Sequence, residues 1–530
     1  MSFPIPLLHL DTLRVSLALV PVLLLAIVHL SRVYWRLRHI PGPILCKFTN
    51  QRRVSWVKTK RAHEIHQEIH DKYGEVVQFG PNMVSVSNPV WIPILYPIRP
   101  GFPKGNFYRT LMPYTKTGGA LPAVFNTRDE ALHKKIKSPI APLFSLTNIL
   151  PLEHFVDETI RVMVEQLDRR FANTNQTFDM ADWLQFFAFD VMGTLTFSKR
   201  YGFLEQGRDV DDMLGTIWTF MTRAAPMTQI PWFDELWNKN RVASFFQRKT
   251  TGFSILRIVG KYVAERREAR ESTSAEKTTD NGSHGKVDGR NKDMLERFFE
   301  IQSQNPSLPP WCVTAWTFSN IIAGSDSTAV VLRTIWYNLL AHPSTLHRLR
   351  GELLIAASKQ PDGFTKPFPT WKEVSDLPYL DACVNEGVRL HPPFCLPFER
   401  VVPKGGVMVG TSFLPEGTVV GMNPYVVNRH KETFGEDAED WNPERWMVDA
   451  DRKRVLENSV MTFGAGRRVC LGRHISILEM KKVVPVLALR YEFDLLDPTR
   501  YTVENSWFFR QYGIDVRIRK RDEGYLGMAL

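Results

Sequence analysis

The sequence has few cysteines and lacks the spaced motifs of several common protein classes. Its five cysteines are odd in number and scattered over 530 residues, which excludes a disulfide framework and indicates a reducing compartment. A net charge of +11 suits nucleic acid, an anionic membrane or an acidic partner. Because zinc-finger and RNP spacings are absent, we do not expect nucleic acid as the partner. No GxGxxG motif opens a βαβ unit, so no flavin or nicotinamide site of that kind is expected.

One long uncharged run lies near the N-terminus. Residues 15–31 carry no full charge, and Arg32, Arg36 and Arg38 follow at once. The run has the minimum length of a membrane-spanning helix, and the arginines place the rest of the chain on the cytoplasmic side. A cleaved signal peptide is the alternative, but no small-x-small cleavage site follows the run. The expected organisation is a membrane anchor in 1–38, a proline-rich hinge in 39–43 and one large domain in 44–530.

The pattern within that domain predicts a fold that is mainly α with small β-sheets. Helical spacing marks residues 62–73, and two short strands follow with Pro81 and Asn82 at their turn. Prolines 309–310 and 343 frame a helix of about 32 residues, long enough to cross a whole domain. Residues 271–292 are almost free of apolar side chains and predict a disordered surface loop.

The stretch FGAGRRVCLG, residues 463–472, surrounds Cys470 with glycine and arginine. A lone cysteine is more often an inert core residue than a ligand. Here the helical pattern after Cys470 places it at a helix N-terminus, where a thiolate is favoured. The neighbouring Arg467 and Arg468 suit a partner that bears carboxylates. Three glycines suggest that the backbone approaches something large and flat; they are Gly464, Gly466 and Gly472.

These residues resemble the haem-binding signature of the cytochromes P450, and they fill each of its fixed positions, Phe463, Gly466, Arg468, Cys470 and Gly472. The resemblance implies the P450 fold and a haem b whose iron takes the Cys470 thiolate as its axial ligand. It also implies that Arg468 reaches a haem propionate.

Two further segments match the family. Glu386 and Arg389 form its ExxR pair, and Arg445 stands in its PERF-like segment, with Trp446 in place of Phe. Taken alone, such a pair at i and i+3 is usually a weak surface feature. In the family the three charged residues form a buried structural lock behind the haem.

The long predicted helix carries Ala323, Gly324, Asp326, Ser327 and Thr328. Small residues and hydroxyls in such a cluster can serve helix packing alone. The resemblance instead implies oxygen activation. Ala323 and Gly324 leave room for O2, while Asp326 and Ser327 relay protons and Thr328 has a lesser part. Ser327 stands where the family usually has threonine.

In the family a Trp or His followed four residues later by Arg contacts the haem propionates. Here these positions hold His133 and Lys137. Lysine neutralises a carboxylate as a point charge but cannot bind it bidentately. A plain surface role is the alternative for His133.

The resemblance implies a microsomal haem-thiolate monooxygenase that oxidises a hydrophobic secondary metabolite. Residues 183–205 and 428–430 are similar to fungal pisatin demethylase-like members. Electrons then come from NADPH through NADPH–cytochrome P450 reductase, with cytochrome b5 as an additional donor. The implied location is the endoplasmic reticulum membrane, crossed once, with the catalytic domain in the cytoplasm.

Two features of the sequence concern the redox partner and the substrate. Basic residues suit an acidic reductase; they are Lys134, Lys135, Arg467 and Arg468. Four segments rich in aromatic and aliphatic residues predict an apolar substrate pocket; they are 102–125, 213–233, 394–398 and 507–509. Two alternatives remain, a haem enzyme that rearranges or dehydrates its substrate without reductase, and a non-catalytic membrane haem-binding protein.

Overall fold

The computed structural model describes residues 21–521, apart from 22–23, 26, 29, 100, 113, 116–118, 238–253 and 278–291. Within these described residues, no helix combines the length and apolar character needed to cross a membrane. The predicted span 15–31 lies largely outside them.

Helices dominate the structure, as predicted. The longer ones are α1 (Gln51–Lys58), α2 (Ala62–Tyr73), α3 (Glu130–Lys137), α4 (Glu153–Arg170), α5 (Met180–Phe197), α6 (Met213–Met227), α7 (Pro231–Trp237), α8 (Ser254–Lys277), α9 (Met294–Gln304), α10 (Cys312–Ala341), α11 (Pro343–Ser358), α12 (Pro378–Leu390), α13 (Ala450–Ser459) and α14 (Arg473–Arg490). Shorter turns include Phe107–Thr110, Pro443–Trp446 and Gly466–Arg468.

The strands form small separate sheets. They are β1 (Val76–Gly80), β2 (Met83–Val86), β3 (Tyr114–Thr115), β4 (Gly119–Ala120), β5 (Phe178–Asp179), β6 (Arg400–Val401), β7 (Val407–Val409), β8 (Ser412–Leu414), β9 (Val419–Gly421), β10 (Tyr491–Leu495), β11 (Thr502–Ser506), β12 (Phe508–Tyr512) and β13 (Asp515–Lys520). The largest sheet has the order β1-β2-β9-β6, and β10-β13-β5 is the next. Only β2 and β9 pair in parallel within the first sheet, and Val84 lies opposite Val420 there.

Helix α10 lies at the centre of the packing. Its 30 residues lie between the predicted prolines, and most of them are buried. Hydroxyls along it bond to carbonyls one turn back, as Thr317 does to Val313 at 2.8 Å. Helix α5 packs antiparallel to it, because Asn320 contacts Thr196 near one end and Arg333 contacts the Ala181 carbonyl near the other.

Several local predictions can be compared with these bounds. The helix at 62–73 and the hairpin with Pro81 and Asn82 at its turn are confirmed. The loop prediction is wrong for residues 271–277, because α8 continues to Lys277. Most of the remaining predicted loop, 278–291, lies outside the described residues.

Candidate active site

A cavity of about 270 Å³ separates α10 from the loop 463–472, which we call the cysteine loop. All four segments predicted to form a substrate pocket contribute to its wall, which is mostly apolar. Aromatic side chains from these segments are Tyr108, Phe125, Phe220, Phe394, Phe398, Trp507 and Phe508. Phe144 and Trp316 also line it, although no motif in the sequence distinguishes them. Such a wall suits an apolar organic molecule.

Cys470 lies on this wall. Its backbone N–H donates to the Phe463 carbonyl at 2.8 Å, which closes the cysteine loop. Its side chain is exposed toward the cavity, and α14 begins three residues later. Surrounding protein raises the pKa of the Cys470 thiol by desolvation, whereas the backbone N–H of Gly472, the Lys137 charge and the backbone N–H of Arg473 lower it. The N–H groups are those expected to stabilise a thiolate at a helix N-terminus.

The glycines of the cysteine loop are needed for different reasons. Gly464 and Gly466 have φ values of +64° and +60°, which favour glycine. A Cβ at Gly466 would collide with the Tyr96 carbonyl oxygen, and Gly466 does not line the cavity. Gly466 therefore has a second reason to be glycine, because it packs against protein backbone. Gly464 and Gly472 do line the cavity, as does Phe463.

Five basic residues line one part of the cavity, and we call them the basic rim: Lys104, His133, Lys137, Arg400 and Arg468. The Arg468 guanidinium donates to Glu130 Oε1 at 2.6 Å, and Lys137 Nζ donates to the Arg467 carbonyl at 2.7 Å. Desolvation and nearby cations lower the pKa of His133 to about 3, so its imidazole is neutral.

Sequence reasoning missed two members of the rim, Lys104 and Arg400. They are paired with each other through an isolated β-bridge, although almost 300 residues separate them in the chain. Both are buried. A single basic residue in a loop or in a two-residue strand carries no periodic signal, so the tertiary structure is what brings these two to the cavity.

The rim fits the two carboxylates of a haem b. His133 Nε2 and Arg468 Nε are buried without a hydrogen-bond partner among the described residues. Glu130 is the carboxylate that pairs with Arg467 and Arg468 there. Buried donors without acceptors are costly, so an additional anion is expected at this place. With the Cys470 thiol on the same cavity wall, the residues present suit a thiolate-ligated haem.

The polar cluster of α10 is divided between two faces. Ala323, Gly324, Ser327 and Thr328 line the cavity. Ser327 donates to the Ala323 carbonyl, and the Thr328 hydroxyl lies 2.9 Å from that of Ser476. Asp326 is not on the cavity wall but accepts a hydrogen bond from Gln185 Nε2 at 2.6 Å. The predicted acid and alcohol are thus adjacent in sequence but not in contact.

Gly324 also serves helix packing. A Cβ there would lie 2.5 Å from the Met192 Sδ on α5. The packing interpretation of this glycine is therefore supported, beside its place on the cavity wall.

The three charged residues of the predicted lock meet behind the cysteine loop. Glu386 and Arg389 are fully buried and bonded by two N–H···O contacts of 2.7 and 2.8 Å. Arg445 Nε lies 3.5 Å from Glu386 Oε1. Asn428 connects this group to the cysteine loop region, because its side chain contacts both the Arg389 carbonyl and Thr462.

The predicted docking surface needs a correction. Lys134 and Lys135 are exposed on α3, but only 5% of the Arg468 side chain and 22% of the Arg467 side chain are accessible. Both arginines pair with Glu130. Arg468 therefore belongs to the cavity and not to an exposed basic face.

Comparisons with known proteins agree with this geometry. The family model described as Cytochrome P450 matches residues 41–509. The chain is 61% identical over 494 residues to Cytochrome P450 monooxygenase asR2 of Sarocladium schorii, covering 93% of this chain and 94% of that protein. It is 61% identical over 507 residues to Cytochrome P450 monooxygenase pkfB of Emericella nidulans, covering 96% of each. Identity to Cytochrome P450 monooxygenase mpaDE of Penicillium brevicompactum is 56% over 504 residues, covering 94% of this chain and 57% of that protein.

Proposed function

Since the chain belongs to the cytochrome P450 family, we propose that it hydroxylates or oxidatively demethylates a hydrophobic small molecule of fungal secondary metabolism. The family is one of haem b monooxygenases. The reaction consumes O2, NADPH and a proton, and hydroxylation gives the oxygenated product, water and NADP⁺. In a demethylation the oxidised methyl group leaves as formaldehyde. The substrate class rests on one observation, the aromatic cavity that extends from Cys470 to α10.

When bound, the haem supplies the oxygen chemistry, and thiolate ligation favours O–O cleavage. Cys470 would hold the iron, and the basic rim would hold the propionates. The aromatic wall excludes water from the bound substrate. Ser327 presents its hydroxyl to the cavity, where protons are needed, and Asp326 supplies protons from the adjacent α5 interface.

The alternative of a reductase-independent rearrangement would not need a proton relay. The hydroxyl that Ser327 presents to the cavity favours the monooxygenase. A non-catalytic haem-binding role would require neither Ser327 nor the apolar pocket.

The electron donor follows from the family, in which a separate reductase passes electrons from NADPH. The exposed Lys134 and Lys135 on α3 support docking of an acidic partner near the cysteine loop. We assign cytochrome b5 as an additional donor. The uncharged run at 15–31 and the arginines after it support a single anchor in the endoplasmic reticulum membrane, with the catalytic domain in the cytoplasm.

Spectroscopy tests the haem assignment first. The reduced protein under carbon monoxide should show the red-shifted Soret band of a thiolate-ligated haem. Cys470→Ser should abolish that band, whereas Cys312→Ala, at a buried cysteine away from the cavity wall, should keep it. A histidine-type spectrum in the wild-type protein would overturn the assignment.

Substrate is then sought by spin-state titration against a library of fungal metabolites. Compounds that shift the spin state are incubated with NADPH and the reductase. The expected product is heavier by one oxygen atom or lighter by one methylene. A product that keeps the elemental composition of its substrate, formed without reductase, would favour the rearrangement instead.

A further inference from the structure

Gln185 is the residue through which α5 contacts the acid of the predicted relay. Its Nε2 donates to Asp326 Oδ1 at 2.6 Å, and the Gln185 side chain is buried. No ion pair within 4.0 Å joins Asp326 among the described residues, so a neutral amide is its partner. The contact depends on close helix packing, which Gly324 permits beneath Met192.

The charged surroundings of Asp326 are sparse. Arg333, two turns further along α10, acts on it from a distance, and its own guanidinium bonds to the Ala181 carbonyl. On α5, Asp182 lies near Arg333, and Asp179 caps the start of that helix. The pKa of Asp326 is raised to about 6. Desolvation raises it by more than the Gln185 hydrogen bond and the Arg333 charge lower it. Gln185 is thus the closest group that favours the ionised carboxylate.

We propose that Gln185 is a positioning residue of the proton relay, whose amide N–H fixes the Asp326 carboxylate and so sets the pH range in which Asp326 delivers protons. The inference rests on the proposed function, because it assigns Asp326 to the relay. Gln185 itself does not line the cavity. It acts by holding one carboxylate oxygen against α5.

The first test measures the ionisation of Asp326 and does not require catalytic turnover. Infrared difference spectra contain the C=O stretch of a protonated carboxylic acid, and the band of Asp326 is the one lost in Asp326→Asn. Titration of the haem-loaded protein gives the midpoint of this band. Gln185→Met keeps the side-chain length but removes the N–H, so the midpoint should rise by about one pH unit. Gln185→Glu should raise it further, because two adjacent carboxyls share a proton.

Thr194→Val is the matched control. It removes a buried hydroxyl of the same helix, bonded to the Asp190 carbonyl, and should leave the midpoint unchanged. An unchanged midpoint in Gln185→Met would overturn the proposal.

The second test measures how well the relay couples NADPH consumption to product formation. The fraction of NADPH that yields product instead of hydrogen peroxide is measured against pH, with a compound that shifts the spin state and with the reductase present. The fall of this fraction at high pH should move upward in Gln185→Met by the same amount as the infrared midpoint. A shifted midpoint with an unshifted pH profile would overturn the role in the relay but leave the monooxygenase intact. A wild-type protein that forms no oxygenated product would overturn the proposed function, while its infrared midpoint would still report the Gln185 contact.

Discussion

The indole nitrogen of Trp446 donates a hydrogen bond of 2.9 Å to Glu386 Oε2. Glu386 is fully buried, and it also accepts from Arg389 and from the Asn442 backbone N–H. The replacement of the family's phenylalanine by tryptophan therefore adds a donor to a buried carboxylate. Donors to a buried charge are worth more than those to neutral groups, because desolvation must be offset.

Trp446→Phe should destabilise the protein although it restores the more common residue. We expect a loss of about 2 kcal/mol from the missing hydrogen bond to a charged group. Thermal unfolding followed by loss of the Soret band measures it. Trp441→Phe is a suitable control, because that indole nitrogen is buried without a partner among the described residues. Equal losses in both variants would show that ring volume, and not the Glu386 contact, is responsible.

Much of this site could be predicted from the sequence, because its signals are local. The cysteine loop, the ExxR pair and the proline-framed α10 each consist of residues close together in the chain. The direction in which Asp326 faces was not predictable, since it depends on the packing of α5. Lys104 and Arg400 were missed because a β-bridge between distant parts of the chain is what brings them to the cavity. The sequence also cannot show that the Tyr96 carbonyl occupies the space beside Gly466.

Lys104→Met should loosen haem binding. Lys104 is buried and forms no ion pair among the described residues, and desolvation lowers its pKa well below the usual value. Its amine donates to the Phe125 carbonyl, and removing it leaves the rim with one fewer group that would face the propionates. Haem transfer to apomyoglobin should be faster by roughly three- to tenfold, as expected for loss of about 1 kcal/mol. The exposed Lys134→Met is the control, and equal rates in both would exclude Lys104 from haem binding.

Gly324→Ala should destabilise the α5–α10 interface. The added methyl would lie 2.5 Å from the Met192 Sδ, and overpacking of this kind typically costs about 1–3 kcal/mol. Gly351→Ala on α11 has open space around the new methyl and should be neutral or slightly stabilising. Met192→Ala should recover part of the loss in the double variant. Additive effects in that cycle would contradict the steric explanation.

Ser327→Ala should uncouple the reaction and spare the fold. NADPH consumption should continue, while product falls and peroxide rises several-fold. The reason is that the hydroxyl removed by the substitution faces the cavity, where protons are needed. Ser325→Ala removes a buried hydroxyl that bonds to the Ile321 carbonyl on the same helix, away from the cavity. It should leave the ratio of product to peroxide unchanged. A similar ratio in both variants would remove Ser327 from the relay.

Asp326→Asn should stabilise the protein increasingly as pH rises. The native pKa of Asp326 is raised from 3.8 to about 6, so between these values the native state holds a proton that the unfolded state has lost. The stability that this bound proton contributes to the native state is fully present below pH 3.8 and is lost as pH rises through 6. Above that pH the wild type bears the full cost of a buried carboxylate. The amide oxygen of asparagine still accepts from Gln185 and never ionises. The stability advantage of the variant should therefore grow by about 1–1.5 kcal/mol between pH 5 and pH 8. Melting temperatures of both proteins at a fixed scan rate across this range measure the difference, and an advantage that stayed constant or shrank with pH would show that Asp326 is already ionised at pH 5.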